Sequence, residues 1–126
     1  MILDSNIIIY SAKPEYIELV RYLQLNQDIV RVSLISTLEV LGFSRLSPKD
    51  ELTFEGFFGI VKIFLITEAI ITEAIRLRQQ RKRSLGDSII AAMALLYNLP
   101  MLTNNVADFS DINGLQLIAL TDVLNA

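Results

Sequence analysis

The chain contains neither cysteine nor histidine, and the two absences remove much of enzyme chemistry. Without cysteine there are no disulfides, no thiolate nucleophiles and no sulfur-ligated zinc, a pattern compatible with a reducing compartment. Without histidine the side chain most often used for proton transfer near neutral pH is missing, together with the commonest zinc ligand. Ser-His-Asp, Cys-His and His-metal mechanisms are therefore excluded. An enzyme built from this chain alone must use carboxylates, hydroxyls, amides, Lys or Arg, and carboxylates favour hard cations such as magnesium or manganese.

Long apolar runs are also missing. The longest uncharged stretch, Ser88 to Ala107, is interrupted by Asn98, Pro100, Asn104 and Asn105, too broken to span a bilayer. The opening Met-Ile-Leu-Asp4 puts an acid where a secretory signal carries its basic region, so the chain reads as cytoplasmic with no membrane partner. At 126 residues and 52% hydrophobic it has the apolar surface for one continuous core, which predicts a single domain over 1–126. A general excess of positive charge is absent too. The net charge of -3 argues against binding nucleic acid through overall basicity, but five of the eleven basic residues fall between Arg76 and Arg83. This cluster is either the solvated end of an amphipathic helix or a local phosphate contact made by Arg81, Lys82 and Arg83.

What is present is an alternation. Short apolar runs suited to strands occur at Met1 to Leu3, Ile29 to Ser33, Ile63 to Ile66, Met101 to Thr103 and Leu117 to Leu120. Between them lie helical patterns. Ile70, Ile71, Ala74 and Leu77 form a stripe opposite Glu68, Glu73, Arg76 and Gln80, predicting a surface helix, whereas Ile89 to Leu96 is apolar all round and predicts a buried one. Strands alternating with helices predict an α/β fold with a mostly parallel central sheet flanked by helices. Ligands bind such sheets beyond the carboxyl ends of the strands. Asp4 follows the first run, Glu39 lies in the helix after the second, Asp87 opens the helix leading to the fourth and Asp108 follows the fourth.

Each acid also has a purely structural explanation. Asp4 suits a helix N-cap. Ser36-Thr-Leu-Glu39 and Ser84-Leu-Gly-Asp87 fit the capping-box pattern, and Asp108 and Asp111 suit turns. Four independent caps and turns have no reason to converge, however, and carboxylates gathered on one edge raise one another's pKa values unless a divalent cation neutralises them.

At these residues the chain resembles the PIN-domain family, and within it the VapC-type toxins of bacterial toxin-antitoxin pairs. Three segments carry the likeness: Leu3-Asp-Ser-Asn-Ile-Ile-Ile-Tyr10; Ser36-Thr-Leu-Glu39; and Gly86-Asp-Ser-Ile-Ile-Ala-Ala92 followed by Leu102-Thr-Asn-Asn-Val-Ala-Asp-Phe109. Ser5 and Ser88 depart from the threonine and alanine common at those positions. The resemblance implies a three-layer PIN-like fold and metal-dependent hydrolysis of RNA phosphodiester bonds, with Mg2+ or Mn2+ held by Asp4, Glu39, Asp87 and, less constantly, Asp108. Asn6, Thr103 and Asn105 match supporting polar residues. It further implies a homodimer and an antitoxin partner whose Arg or Lys enters the acidic pocket. Phe54, Phe57 and Phe58 suit either a dimer interface or the core.

Two other functions compete. A signalling receiver domain has this length and topology, but it needs paired acids after the first strand and a lysine near the end of the fifth, whereas Asp4 stands alone and no lysine follows Lys82. The other is a PIN-fold interaction protein without catalytic activity, which the intact acid set disfavours.

Overall fold

The computed structural model describes residues 1–125. Five short strands form one sheet in the order β3-β2-β1-β4-β5, with every neighbouring pair parallel. They are β1 (Ile2–Leu3), β2 (Arg31–Ser33), β3 (Lys62–Phe64), β4 (Met101–Thr103) and β5 (Leu117–Ala119). Seven α-helices connect and flank them: α1 (Ser5–Ser11), α2 (Ile17–Leu25), α3 (Leu34–Leu41), α4 (Pro48–Ile60), α5 (Glu68–Gln80), α6 (Leu85–Leu96) and α7 (Leu120–Leu124).

Strand alternation divides the core in two. Met1 and Leu3 join Val32 and Leu102 on one face, where Ile7, Ile8, Leu19, Leu23, Val40, Phe54 and Phe58 cover them. Ile2 and Met101 point the other way, onto Ile70, Ala74 and Leu77 of α5 and the run Ile89 to Ala94 of α6. The result is three layers, with the central strands buried on both sides as a parallel sheet requires. Phe54 and Phe58 belong to the core and Phe57 packs against it half-buried, so of the two roles open to these aromatics the structure selects packing.

Local chemistry sets the helix starts. Ser33, Ser47, Thr67 and Ser84 each cap a helix by accepting a backbone amide. Ser33 rather than Ser36 caps α3, so Ser36-Thr-Leu-Glu39 is not a capping box: Ser36 already lies inside the helix and is buried. The apolar stripe of α5 also narrows on folding. Ile70, Ala74 and Leu77 are buried but Ile71 is exposed. The third strand, β3, is paired with β2 from Lys62 to Phe64, so it begins and ends earlier than the apolar run Ile63 to Ile66. Among the described residues no helix is long and apolar enough to cross a membrane.

Because all strands are parallel, their carboxyl ends share one edge. Asp4 leaves β1 there, α3 starts directly after β2, and Thr103 ends β4. The helix α6 returns antiparallel to the sheet before β4, which puts its first turn, with Asp87, at the same edge.

Candidate active site

Asp4 occupies the N-cap position of α1, but its carboxylate makes no capping hydrogen bond. It accepts instead from Thr103 Oγ1 across the sheet at 2.9 Å. The same hydroxyl accepts from the Asn105 amide at 3.0 Å, so Thr103 ties the first strand's acid to the loop after β4. With only 5% of its surface exposed, Asp4 is desolvated, and burial together with the charges of Asp87 and Glu39 pushes its pKa up to about 6 against the partial opposition of Thr103.

Glu39, in the second turn of α3, is held by two hydroxyls in series. Ser5 Oγ donates to Glu39 Oε1 at 2.8 Å and lies 2.8 Å from Ser36 Oγ. The glutamate lies directly over the first turn of α6. A Cβ added to Gly86 would stand 2.5 Å from both carboxylate oxygens of Glu39, so this approach requires glycine. Asp87 follows at once, its amide capped by Ser84 Oγ at 3.1 Å. Burial and the neighbouring Asp108 raise the pKa of Asp87, partly offset by Ser84 and Arg83.

Asp108 closes a single turn of 3-10 helix, Val106–Asp108, and accepts from Asn105 Nδ2 at 2.5 Å. Thr103 and Asn105 thus each hold an acid. Asn6 does not: it is exposed and, among the described residues, makes no hydrogen bond to the acids. The four carboxylates are linked through their fields, Asp4 with Asp87 and Glu39, and Asp87 with Asp108. Among the described residues no three of them are drawn tightly enough to grip an ion as they stand. Their chemistry nevertheless suits a hard divalent cation: the donors are all carboxylate oxygens, and the two most buried have pKa values raised by burial and further by neighbouring acids, a cost that a dication relieves.

The basic segment splits. Arg81 and Lys82 are exposed and, with the buried Arg83 and with Ser84, Asp87 and Asp108, line a cavity of about 120 Å³ beside the acids. Arg83 corrects the sequence expectation that all three cations face a substrate. It is 7% exposed, and its guanidinium donates to Leu77 O at 3.2 Å, to Asp108 O at 2.8 Å and to both carboxylate oxygens of Asp111. Nearly all its donors are consumed inside the protein. Arg81 adds a longer pair with Asp108 at 3.5 Å and another with Asp111 at 3.2 Å. Sequence reasoning missed this clamp, as it missed Gly86 and the Ser5–Ser36 relay; the positions of Ser5 and Gly86 inside the matching segments were the only signal.

A family model described as PIN domain matches residues 1–115. Among curated protein sequences none matches the chain. Among solved structures, a chain of a toxin-antitoxin complex from Klebsiella pneumoniae is similar at 28% identity and TM-score 0.76, with 94% of this chain and 95% of that chain covered. A chain of VapBC-1 from nontypeable Haemophilus influenzae is 25% identical at TM-score 0.76, covering 95% and 97%. VapBC2 from Rickettsia felis, bound to a DNA fragment from its promoter, shares the fold at TM-score 0.81 and 20% identity over 94% and 96%.

Proposed function

We propose, from the premise that this chain belongs to the PIN domain family, that it is a Mg2+- or Mn2+-dependent endoribonuclease and the toxin of a type II toxin-antitoxin pair. The observation that carries the reading is the meeting of Asp4, Glu39, Asp87 and Asp108 at one sheet edge, two of them with pKa values raised by burial and by one another. Asp4, Glu39 and Asp87 would hold the cation, with Asp108 as the fourth acid. When bound, such an ion supplies an acidified water and neutralises charge on the phosphate.

The remaining work falls to the chain. Thr103 orients Asp4, and Ser5 orients Glu39, as outer groups orient ligands in metal sites. Asp87 or Asp108 would orient the attacking water or accept its proton. Arg81 and Lys82 border the acids and would hold RNA phosphates, offsetting the repulsion between substrate and site. Arg83 is withdrawn from that role by its pairing with Asp111.

The partner we infer is an antitoxin. Leu25 and Ile60 are 86% and 87% exposed, with Ile29 also exposed, and Ile60 joins Leu23 and Phe57 in lining a groove between α2 and α4. Apolar surface of this kind suits a protein partner, while the acids attract a basic side chain. A homodimer and a cytoplasmic location belong to the same reading. The test is cleavage of an RNA pool with Mg2+ or Mn2+ against chelator, comparing wild type with Asp4→Asn. Cation-dependent cleavage lost in the variant supports the reading. A purified chain that cuts no RNA, or cuts it equally well in chelator, contradicts it.

A further inference from the structure

A second cavity, of about 370 Å³, adjoins the acid site through Glu39 and opens between α1, α3 and the start of α4. Its volume lies within the range typical of small-ligand pockets. Its floor is apolar, built from Ile9, Val40, Leu46 and Phe54. Over that floor stands Phe43, an aromatic residue left 58% exposed in the short connection between α3 and α4. Lys13 and Arg45 also line the cavity; both are exposed, and neither has a carboxylate partner among the described residues. Asp50 is the second carboxylate of the lining, beside Glu39.

An exposed aromatic, an apolar floor and two cations without carboxylate partners, one of them (Lys13) resting over the Tyr10 ring at 5.3 Å, form the combination by which proteins take up single-stranded RNA: bases stack on aromatic faces while phosphates meet cations. Resting on the ribonuclease reading, we propose that this cavity is a nucleobase subsite, receiving a base adjacent to the scissile phosphate with Phe43 as its stacking partner. Lys13 and Arg45 hold the flanking phosphates. Asp50 accepts from an exocyclic amino group, which favours adenine, cytosine or guanine over uracil. A net-acidic chain thereby holds RNA on two local patches, one on each side of its acids.

The chain has no tryptophan, so Phe43→Trp introduces a unique reporter at the proposed stacking position. In an Asp4→Asn background its emission is to be titrated with an eight-nucleotide oligoadenylate and with an abasic ribose-phosphate oligomer of equal length. Quenching by the first and not the second is expected. Phe43→Ala should weaken oligoadenylate binding roughly 5- to 150-fold, with folding checked by circular dichroism. Replacing Lys13 and Arg45 by alanine should flatten the dependence of log affinity on log salt by about 0.7 for each phosphate no longer neutralised. Equal quenching by the abasic oligomer, or RNA binding indifferent to Phe43→Ala, would overturn the subsite. So would quenching by a basic protein segment but not by RNA, which would make the cavity a protein-docking groove. If wild type cleaves the RNA pool while the quench is missing, the subsite falls and the ribonuclease reading stands; if neither is seen, both fall.

Discussion

Glu39 rests its carboxylate against the bare Cα of Gly86, so close that a methyl group there would stand 2.5 Å from both oxygens. Glutamate is the flexible partner, so Gly86→Ala should displace Glu39 and leave the helix in place. Alanine is also the better helix former, by up to about 1 kcal/mol. The expected variant therefore has an unchanged or slightly higher melting temperature and roughly 10- to 100-fold weaker cation binding. Calorimetric titration with Mn2+ beside a thermal melt checks both.

Asp111 and Asp108 lie three residues apart but have separate tasks. Asp111 is held below the usual carboxylate range by Arg83, and secondarily by Arg81. It thereby stabilises the fold above that range, and the stabilisation disappears on acidification. Asp111→Asn leaves the guanidinium of Arg83 without its anion and should lower the melting temperature more than Asp108→Asn does. Asp108→Asn should instead cost the greater share of RNA cleavage per folded molecule. Thermal melts and cleavage rates on both variants decide this, and the reverse ranking would make Asp111 the fourth acid.

The raised pKa of Asp4 sets a pH dependence. Well below pH 3.8 the residue is protonated in both folded and unfolded chains. Between the ordinary aspartate value of 3.8 and about 6 only the folded chain keeps the proton, so stability in chelator should fall as pH rises through that window. The loss is complete above it and is on the order of 3 kcal/mol. Asp4→Asn, which keeps an acceptor for Thr103, should abolish this slope and be the more stable protein at pH 7.5. Urea denaturation from pH 4 to 8 measures it, and a wild-type stability that rises over pH 4 to 6 would show that Asp4 is not held protonated by its burial.

Much of this architecture was legible because hydrophobic period and strand edges are local properties. Met101 to Thr103 is a strand as its run predicts, and α5 follows its stripe from Glu68 to Gln80. The acids were findable because the parallel topology directs segments far apart in sequence to one edge. Arg83 was not. Beside Arg81 and Lys82 it reads as one more surface cation, and only folding brings Asp111, 28 residues on, to its guanidinium. Gly86 stood inside a matching segment, but its role was hidden, since its meaning depends on a glutamate from another helix. Ser33 and Ser36 illustrate the limit of motif spacing: both precede helical residues, but the end of β2 selects Ser33 as the cap.

The central claim is that Asp4, Glu39 and Asp87 together hold a divalent cation, and Mn2+ binding at pH 7.5, followed by calorimetry and by the paramagnetic signal of the free ion, tests it most directly. Wild type should bind Mn2+ stoichiometrically, and Asp4→Asn, Glu39→Gln and Asp87→Asn should each lose at least about tenfold in affinity while remaining folded. A wild-type chain that binds no Mn2+, or three amide variants that bind it as wild type does, would contradict the claim.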